Sequence, residues 1–324
     1  MKKRLCIACS LLATVFVAGI LHGITIHRNQ VFPYGVIRHV CRRLQASGSF
    51  SIGIYKGCTP FTLVDPEDIA NPVLTAKDVA DADVLFVADP FMIAKNGKHF
   101  MFFEALKRGT CCGVIAYAES SDLRQWTYGK VVLDEGFHLS YPFVFEWDDS
   151  YYMIPESAED LSVRLYRATE FPEAWEYVGN LLGGYRYVDP TVFRHSDKWW
   201  MFVSTGHNSI LNLYYSDDLF EGWRPHPMNP IVKSNRHTSR PAGRVVVHED
   251  RLYRLAQDTH PSYGIQVFAF EITDLSETSY AERPAAEKPI VGKTGVGWNA
   301  AGMHHADLHQ TENGWVAAVD GRYR

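Results

Sequence analysis

Carboxylates recur in this chain at a fixed distance behind a polar residue that opens an apolar strand. Asp89 is followed 15 positions later by Glu104, Tyr141 by Glu156 and His305 by Asp320, while Asp189 is followed by Ser204. Arg240 has Gln257 and Asp258 a little further on, and His304, His305 and Asp307 crowd the last such start. Gathered at one place, these groups make a wet, charged pocket. Crowded acids raise one another's pKa, the usual way of keeping one carboxyl protonated beside an ionised one. Arginine and histidine beside them suit an anionic or hydroxyl-rich ligand such as a glycan. The same carboxylates with His304, His305 and Asp307 also suggest a cation, since hard ions take oxygen ligands. The spacing His-His-x-Asp matches no ligand pattern, so no metal or cofactor is expected beyond the option of a structural cation in the centre. A plainer reading makes each Asp-Pro a turn device. It covers Asp89 and Asp189 but leaves Glu104, Glu156 and Asp320, at strand ends, unexplained.

The elements that must carry these residues repeat. Hairpins begin at Asp89, Tyr141, Asp189, Arg240 and His304, with starts 52, 48, 51 and about 65 residues apart. Periods of this size point to propeller blades or solenoid units. Each hairpin is an apolar strand, a short polar turn such as Gly97 or Asp148-Asp149, and an aromatic-rich strand, the alternation expected of paired strands. After the first three comes a second module of a strand, a turn such as Ser121-Asp122-Leu123, a Trp and a final strand. Trp126, Trp175 and Trp223 recur at matched places and read as packing anchors; a looser copy runs through Ile272–Leu275. The fifth hairpin ends at Asp320, and its second module is found at the other end of the chain, in Ser51–Tyr55, Thr62–Val64 and Asn71–Leu74. Asn71-Pro72-Val73 matches Asn229-Pro230-Ile231. Ring closure by these strands covers an edge that would otherwise be left unpaired. The fold class expected is therefore all-β: a five-bladed β-propeller over residues 50–324, with four-stranded blades and the last blade closed by the N-terminal strands. Innermost strands then start, and second strands end, at a single mouth. The Gly292–Gly297 stretch lacks the strand-to-helix context of a phosphate loop and reads as a long connection overhanging that mouth.

Composition narrows the rest. The 324 residues are 46% apolar with a net charge of −5 and basic residues spread along the chain, so no nucleic-acid partner is expected. Lys2, Lys3 and Arg4 precede an apolar run from Leu5 to Leu21, resumed through Ile26. Its length lies between a secretory core and a spanning helix. Residues 1–30 are read as a signal anchor, with a cleaved signal peptide as the alternative, and 31–49 as a juxtamembrane linker. The propeller is expected to be exported and membrane-anchored through this segment, or else secreted. Arg28, Arg38, Arg42 and Arg43 beyond the run weaken that orientation. The six cysteines form no framework or zinc pattern and are expected mostly as free or buried thiols.

The motifs Val87-Ala-Asp-Pro-Phe-Met92, Leu139-Ser-Tyr-Pro-Phe-Val-Phe-Glu146, Tyr152-Met-Ile-Pro-Glu-Ser157, Ser239-Arg-Pro-Ala-Gly-Arg244, Ala256-Gln-Asp258 and Gly302-Met-His-His-Ala-Asp307 resemble the domain at the N-terminus of plant glucosamine inositolphosphorylceramide transferases, found also as stand-alone bacterial proteins. In the plant proteins the resemblance places the glycosyltransferase in a separate C-terminal domain; no nucleotide-sugar domain is visible here. The domain is similar in turn to five-bladed glycosidases of the arabinanase and β-xylosidase type. That likeness implies an Asp base at Asp89 and a tuning Asp at Asp189, but it puts Arg240 where the acid belongs, and an arginine donates no proton near neutral pH. An inverting mechanism needs two carboxyls about 6.5–9.5 Å apart, so Glu156 is the candidate displaced acid. The catalytic set is then Asp89, Glu156 and Asp189. Glu104, Tyr141, Arg240, Gln257, Asp258, His304, His305, Asp307 and Asp320 form the substrate-binding set. The expected function is carbohydrate-active, on a glycan or glycolipid in the cell envelope. The alternative is a non-catalytic glycan-binding propeller, with a glycosyltransferase as partner.

Overall fold

The computed structural model describes residues 49–323. The expectations for 1–30 and 31–49 lie outside the described residues, Ser49 excepted. Among the described residues no helix is long and apolar enough to cross a membrane.

Short polar turns between runs of alternating apolar residues fold into five antiparallel sheets in a ring. Blade I contains Val84–Lys95, Lys98–Lys107, Gly113–Ser120 and Thr127–Leu133. Blade II contains Ser140–Trp147, Ser150–Ser157, Ser162–Glu170 and Ala174–Gly183. Blade III contains Val188–His195, Lys198–Thr205, Ile210–Ser216 and the short outer pieces Arg224–Pro225 and Val232–Lys233. Blade IV has a broken innermost strand, Arg240–Pro241 then Val246–His248, followed by Arg251–Asp258, Gln266–Leu275, Tyr280–Pro284 and Val291–Gly292. Blade V pairs Ala306–Thr311 and Gly314–Arg322 with Phe50–Gly57 and Leu63–Val64. The two ends of the chain thus meet in one sheet, with Ile52 opposite Asp320 and Gly57 opposite Trp315. This is the five-bladed propeller with N-terminal closure.

Apolar faces pack between blades rather than within them. Phe91, Phe102, Tyr152, Met153 and Met201 join blades I, II and III in one cluster, and Tyr55, Leu255, Val267 and Trp315 join IV and V in another. The matched Asn-Pro segments do the same work in two blades. Asn71 Oδ1 accepts from Ile54 N–H at 2.8 Å while its Nδ2 donates to Ile54 O at 2.8 Å. Asn229 holds Leu213 in the same way, at 2.8 and 2.7 Å. Each side chain replaces one rung of a missing strand, satisfying backbone groups that would otherwise be left bare. The three recurrent tryptophans are anchors: Trp126, Trp175 and Trp223 pack on the interblade clusters and donate Nε1–H to Leu123 O, Pro172 O and Leu219 O.

Two loop expectations are refined. The Gly292–Gly297 connection is tied down by its start, which pairs with Gln266 and Val267, and by Trp298 just after it. The Trp298 ring fills the space over Gly53 and Gly321, where any Cβ would come within 2.6 Å of it. Among the described residues Cys58 and Cys112 are free thiols and Cys111 is disulfide-bonded.

Candidate functional site at the propeller axis

The 15-residue spacing is a hairpin register. Ala88 lies opposite Glu104, Ser140 opposite Glu156, Val188 opposite Ser204 and Arg240 opposite Gln257. Just beyond each of the first three pairs the innermost strand bulges, the pairing skipping to Phe91, Phe143 and Thr191. At the bulge a non-glycine residue takes a left-handed backbone: Asp89 at φ 52°, Tyr141 at 47° and Asp189 at 51°. Such a conformation costs about 1–3 kcal/mol and persists only where surrounding structure holds it. Here it turns the backbone N–H of Asp89 onto Asp320 Oδ2 at 3.1 Å, and that of Asp189 onto Glu156 Oε2 at 3.3 Å. A carboxylate ending one blade's second strand therefore caps the bulge of the next blade. Strand register and blade order together deliver the acids to the axis.

Blades I to III contribute acids to the resulting ring, and blades IV and V bring the basic groups Arg240 and His304. Arg240, from blade IV, grips Asp189 with Nε at 2.5 Å and Nη2 at 3.2 Å, and Nη2 lies 3.6 Å from Glu156 Oε2. Its Nη1 donates to Asn208 Oδ1 at 3.2 Å and its guanidinium faces the Tyr263 ring at 5.3 Å. Gln257 Nε2 adds a bond to Asp189 Oδ2 at 3.2 Å. Burial pushes Asp189 up, to about 7, against the opposing charge of Arg240. Across the ring His304 lies between two acids, Nδ1 at 2.7 Å from Asp320 Oδ1 and Nε2 at 3.4 Å from Asp89 Oδ1. Burial works against a charged His304 ring, but Asp320 and Asp89 outweigh it and raise the imidazole above its ordinary range. Asp320 is lowered: burial opposes this, and His304 prevails. Burial raises Asp89, with His304 and His305 pulling the other way.

Glu104 has no such partner. It is 6% exposed, and it rises well above the ordinary carboxylate range, first through burial and then through the Asp89 and Glu156 charges. His138 Nε2, 3.6 Å from its Oε1, is the nearest cationic candidate, but its Nδ1 accepts from Gly113 N–H, which fits a neutral ring, and desolvation of this partly exposed side chain acts in the same direction. A buried, uncompensated carboxyl between two others is an acid kept protonated.

One step further along the innermost strands the axis is plugged. The Tyr141 hydroxyl of blade II accepts from Gly243 N–H of blade IV at 2.8 Å and bonds Thr191 Oγ1 of blade III at 2.8 Å. Phe91 of blade I and His305 of blade V pack edge-on against its ring, at 4.8 and 5.3 Å. All five blades contribute to this plug. Gly243 is required there, since its φ is +141° and a Cβ would sit 2.0 Å from Ala306 O. Tyr141→Phe should lower stability by about 1–3 kcal/mol by stranding Gly243 N–H, measured by denaturant unfolding, with the acid ring unchanged.

The structure brings Asp89, Glu104, Glu156, Asp189, Arg240, Gln257, His304 and Asp320 together around the propeller axis. Asp258 sits beside them in blade IV, 2.9 Å from His237 Nδ1 and accepting from His260 N–H and Gln266 Nε2, each at 3.0 Å. Tyr141, His305 and Asp307 are each fully buried. Tyr141 and His305 belong to the plug, and Asp307 is clamped by Arg244, Met92 N–H and His309. Residues the motifs did not single out are His138, Tyr263 and Asn208. They sit in loops between strands, where spacing carries no signal. Two of the four buried side-chain atoms without a protein partner among the described residues lie here, Gln257 Oε1 and His305 Nδ1, the latter 3.9 Å from Asp89 Oδ1. Asp89, His304 and Asp320 present ligand atoms within 4.8 Å of one another, near enough to share a cation. The His304 ring already lies between both carboxylates and can supply that positive charge itself.

The molecule shares its five-bladed propeller fold with solved glycoside hydrolases. An α-L-arabinofuranosidase from Podospora anserina superposes with a TM-score of 0.55 at 14% identity, covering 86% of this chain and 98% of that one. A glycosyl hydrolase from Bacteroides ovatus gives 0.57 at 11% identity over 82% and 94%. At that identity the likeness is one of fold. The chain itself belongs to the family described as glucosamine inositolphosphorylceramide transferase 1, N-terminal, which it matches over residues 41–322. It is 35% identical over 298 residues to the glucosamine inositolphosphorylceramide transferase 1 of Oryza sativa subsp. japonica, and 34% identical over 255 residues to that of Arabidopsis thaliana. These alignments cover 85% and 72% of this chain but 40% and 33% of the relatives, so the chain spans well under half of their length. Family and fold together support a carbohydrate-related function.

Proposed function

We propose that the axial site binds a glycan or the head group of a glycolipid and acts on a glycosidic bond, with Glu104 as proton donor and Asp89 as base. The observation that carries this reading is the placement of Glu104, nearly buried between Asp89 and Glu156 with no cation on it. Glu156, the acid expected from the sequence, is already engaged: its Oε2 accepts from Asp189 N–H and lies 3.6 Å from Arg240 Nη2. Asp189 and Arg240 form a rigid pair that orients the ligand. The propeller works outside the cytoplasm, tethered by the N-terminal segment and beside a glycosyltransferase partner.

The test is a glycan array with a hydrolysis and transfer screen on the full-length chain, run with Asp89→Asn and Glu104→Gln beside wild type. Turnover in wild type and its loss in both variants, with binding retained, is expected. One observation favours a second reading, a non-catalytic lectin-like site: Arg240 sits where the related glycosidases hold their acid and is spent on Asp189. Binding without turnover, weakened by Arg240→Ala, would select that reading.

A further inference from the structure

We propose that His138 is the positioning residue for Glu104, a neutral imidazole whose Nε2–H faces one carboxyl oxygen and so leaves the acid proton on the other. This deepens the reading of Glu104 as proton donor and rests on it. The tautomer follows from a backbone contact. Gly113 N–H donates to His138 Nδ1 at 2.9 Å, and a neutral imidazole that accepts at Nδ1 carries its proton at Nε2. Nε2 lies 3.6 Å from Glu104 Oε1. That is slightly beyond a neutral hydrogen bond; charge-assisted contacts are shorter, so it tightens as Glu104 ionises.

A second, independent observation is the space at Gly113. A Cβ there would stand 2.1 Å from Leu139 O, 2.8 Å from Glu104 Oε1 and 2.9 Å from His138 Cε1. Only a residue without a side chain lets the acid and the ring approach each other. The loop carrying the ring is pinned to the same glycine, Leu139 N–H donating to Gly113 O at 3.0 Å, and His138 N–H donates to Glu159 Oε2 at 2.7 Å. Donor, ring and acid are therefore built as one unit across the seam between blades I and II. The charges facing Glu104 are Asp89, Glu156, Asp320 and Arg240; those facing His138 are Glu159, Asp189, Arg240 and Arg186.

The mechanism requires no new reactant. As Glu104 releases its proton to a leaving oxygen, the His138 N–H holds the carboxylate that remains, because hydrogen bonds to the charged form favour it. Infrared titration of the full-length chain with 13C-carboxyl glutamate reads this directly, the Glu104 band being assigned by its loss in Glu104→Gln. His138→Phe keeps ring volume and removes the donor; the Glu104 midpoint should rise by about one pH unit, a tenfold gain in proton affinity. His138→Gln, which restores an N–H, should return it to within a few tenths of wild type. Should the Phe variant fail to fold, His138→Asn, too short to reach Glu104, gives the same upward shift. Identical midpoints in wild type and the donor-less variants, or a Glu104 that never ionises in the folded protein, would overturn the proposal. No ligand enters this measurement, so a failed glycan screen leaves it standing. Conversely, turnover combined with an unmoved midpoint removes the role of His138 alone.

Discussion

Arg244→Ala should destabilise the propeller by about 3–5 kcal/mol, the cost of breaking a buried pair from one side. Asp307 is 0% exposed, and Arg244 holds it with both Nε and Nη2. The same guanidinium donates to Met92 O at 3.0 Å, and Met92 N–H donates back to Asp307 Oδ2 at 2.7 Å. One cluster thus ties blades IV, V and I together around the axis. Without Arg244 the carboxylate keeps only Met92 N–H and His309, at 2.8 Å. Burial raises Asp307, but Arg244 and His309 outweigh it and hold the carboxyl well below the ordinary range. A depressed carboxyl contributes stability above its unfolded pKa and loses it as pH falls through the folded value. The gap between wild type and Arg244→Ala should therefore be full at neutral pH and close in strong acid. At neutral pH a thermal melt should fall by roughly 10 °C. A loss under about 1 kcal/mol would mean that water reaches Asp307 and that the clamp is not what closes the ring.

Glu104→Gln should reduce any glycosidic turnover by about 10²–10⁴-fold, the range for losing a general acid, while leaving glycan binding in place. The sign of its pH behaviour is opposite to that of Asp307. Glu104 is raised, so its protonated form is the one the fold favours. Its contribution to stability is complete below the unfolded pKa and is lost as pH rises through the higher folded value. Wild type should therefore weaken relative to Glu104→Gln as pH rises above the ordinary carboxylate range toward the raised folded value, as read by denaturant midpoints. Activity should fall over the same alkaline limb as the donor loses its proton. A variant less active yet more stable in base is the behaviour of a site that stores unfavourable charge for function. Equal alkaline stability of the two proteins would show that Glu104 is already compensated, and the acid role would pass back to Glu156.

The blades were legible because their signals are local. Strand alternation, turn residues and the 15-residue spacing all act within one hairpin, so Asp89 with Glu104 and Tyr141 with Glu156 could be matched without knowing any neighbour. Even the closure was legible, since Asn71-Pro72 and Asn229-Pro230 are the same device written twice. Residue roles within the site were less so. Tyr141 occupies the position of Asp89 and Asp189 and shares their left-handed backbone, yet its side chain crosses the axis to Thr191 and Gly243 and belongs to the plug.

By itself the sequence determined that acids, histidines and an arginine would stand at strand ends facing one mouth, because β-strand geometry and hairpin length settle that within each blade. Only the tertiary structure decided which charge meets which. Arg240 and Arg244 lie four residues apart in one motif, yet the first pairs with Asp189 on blade III and the second with Asp307 on blade V. Such pairings join residues far apart in the chain, across blade seams whose bulges and close glycine contacts set the final ångström. Coulombic and desolvation energies change steeply over that distance, and that is why the acid left without a cation, Glu104, could be recognised only after the ring had closed.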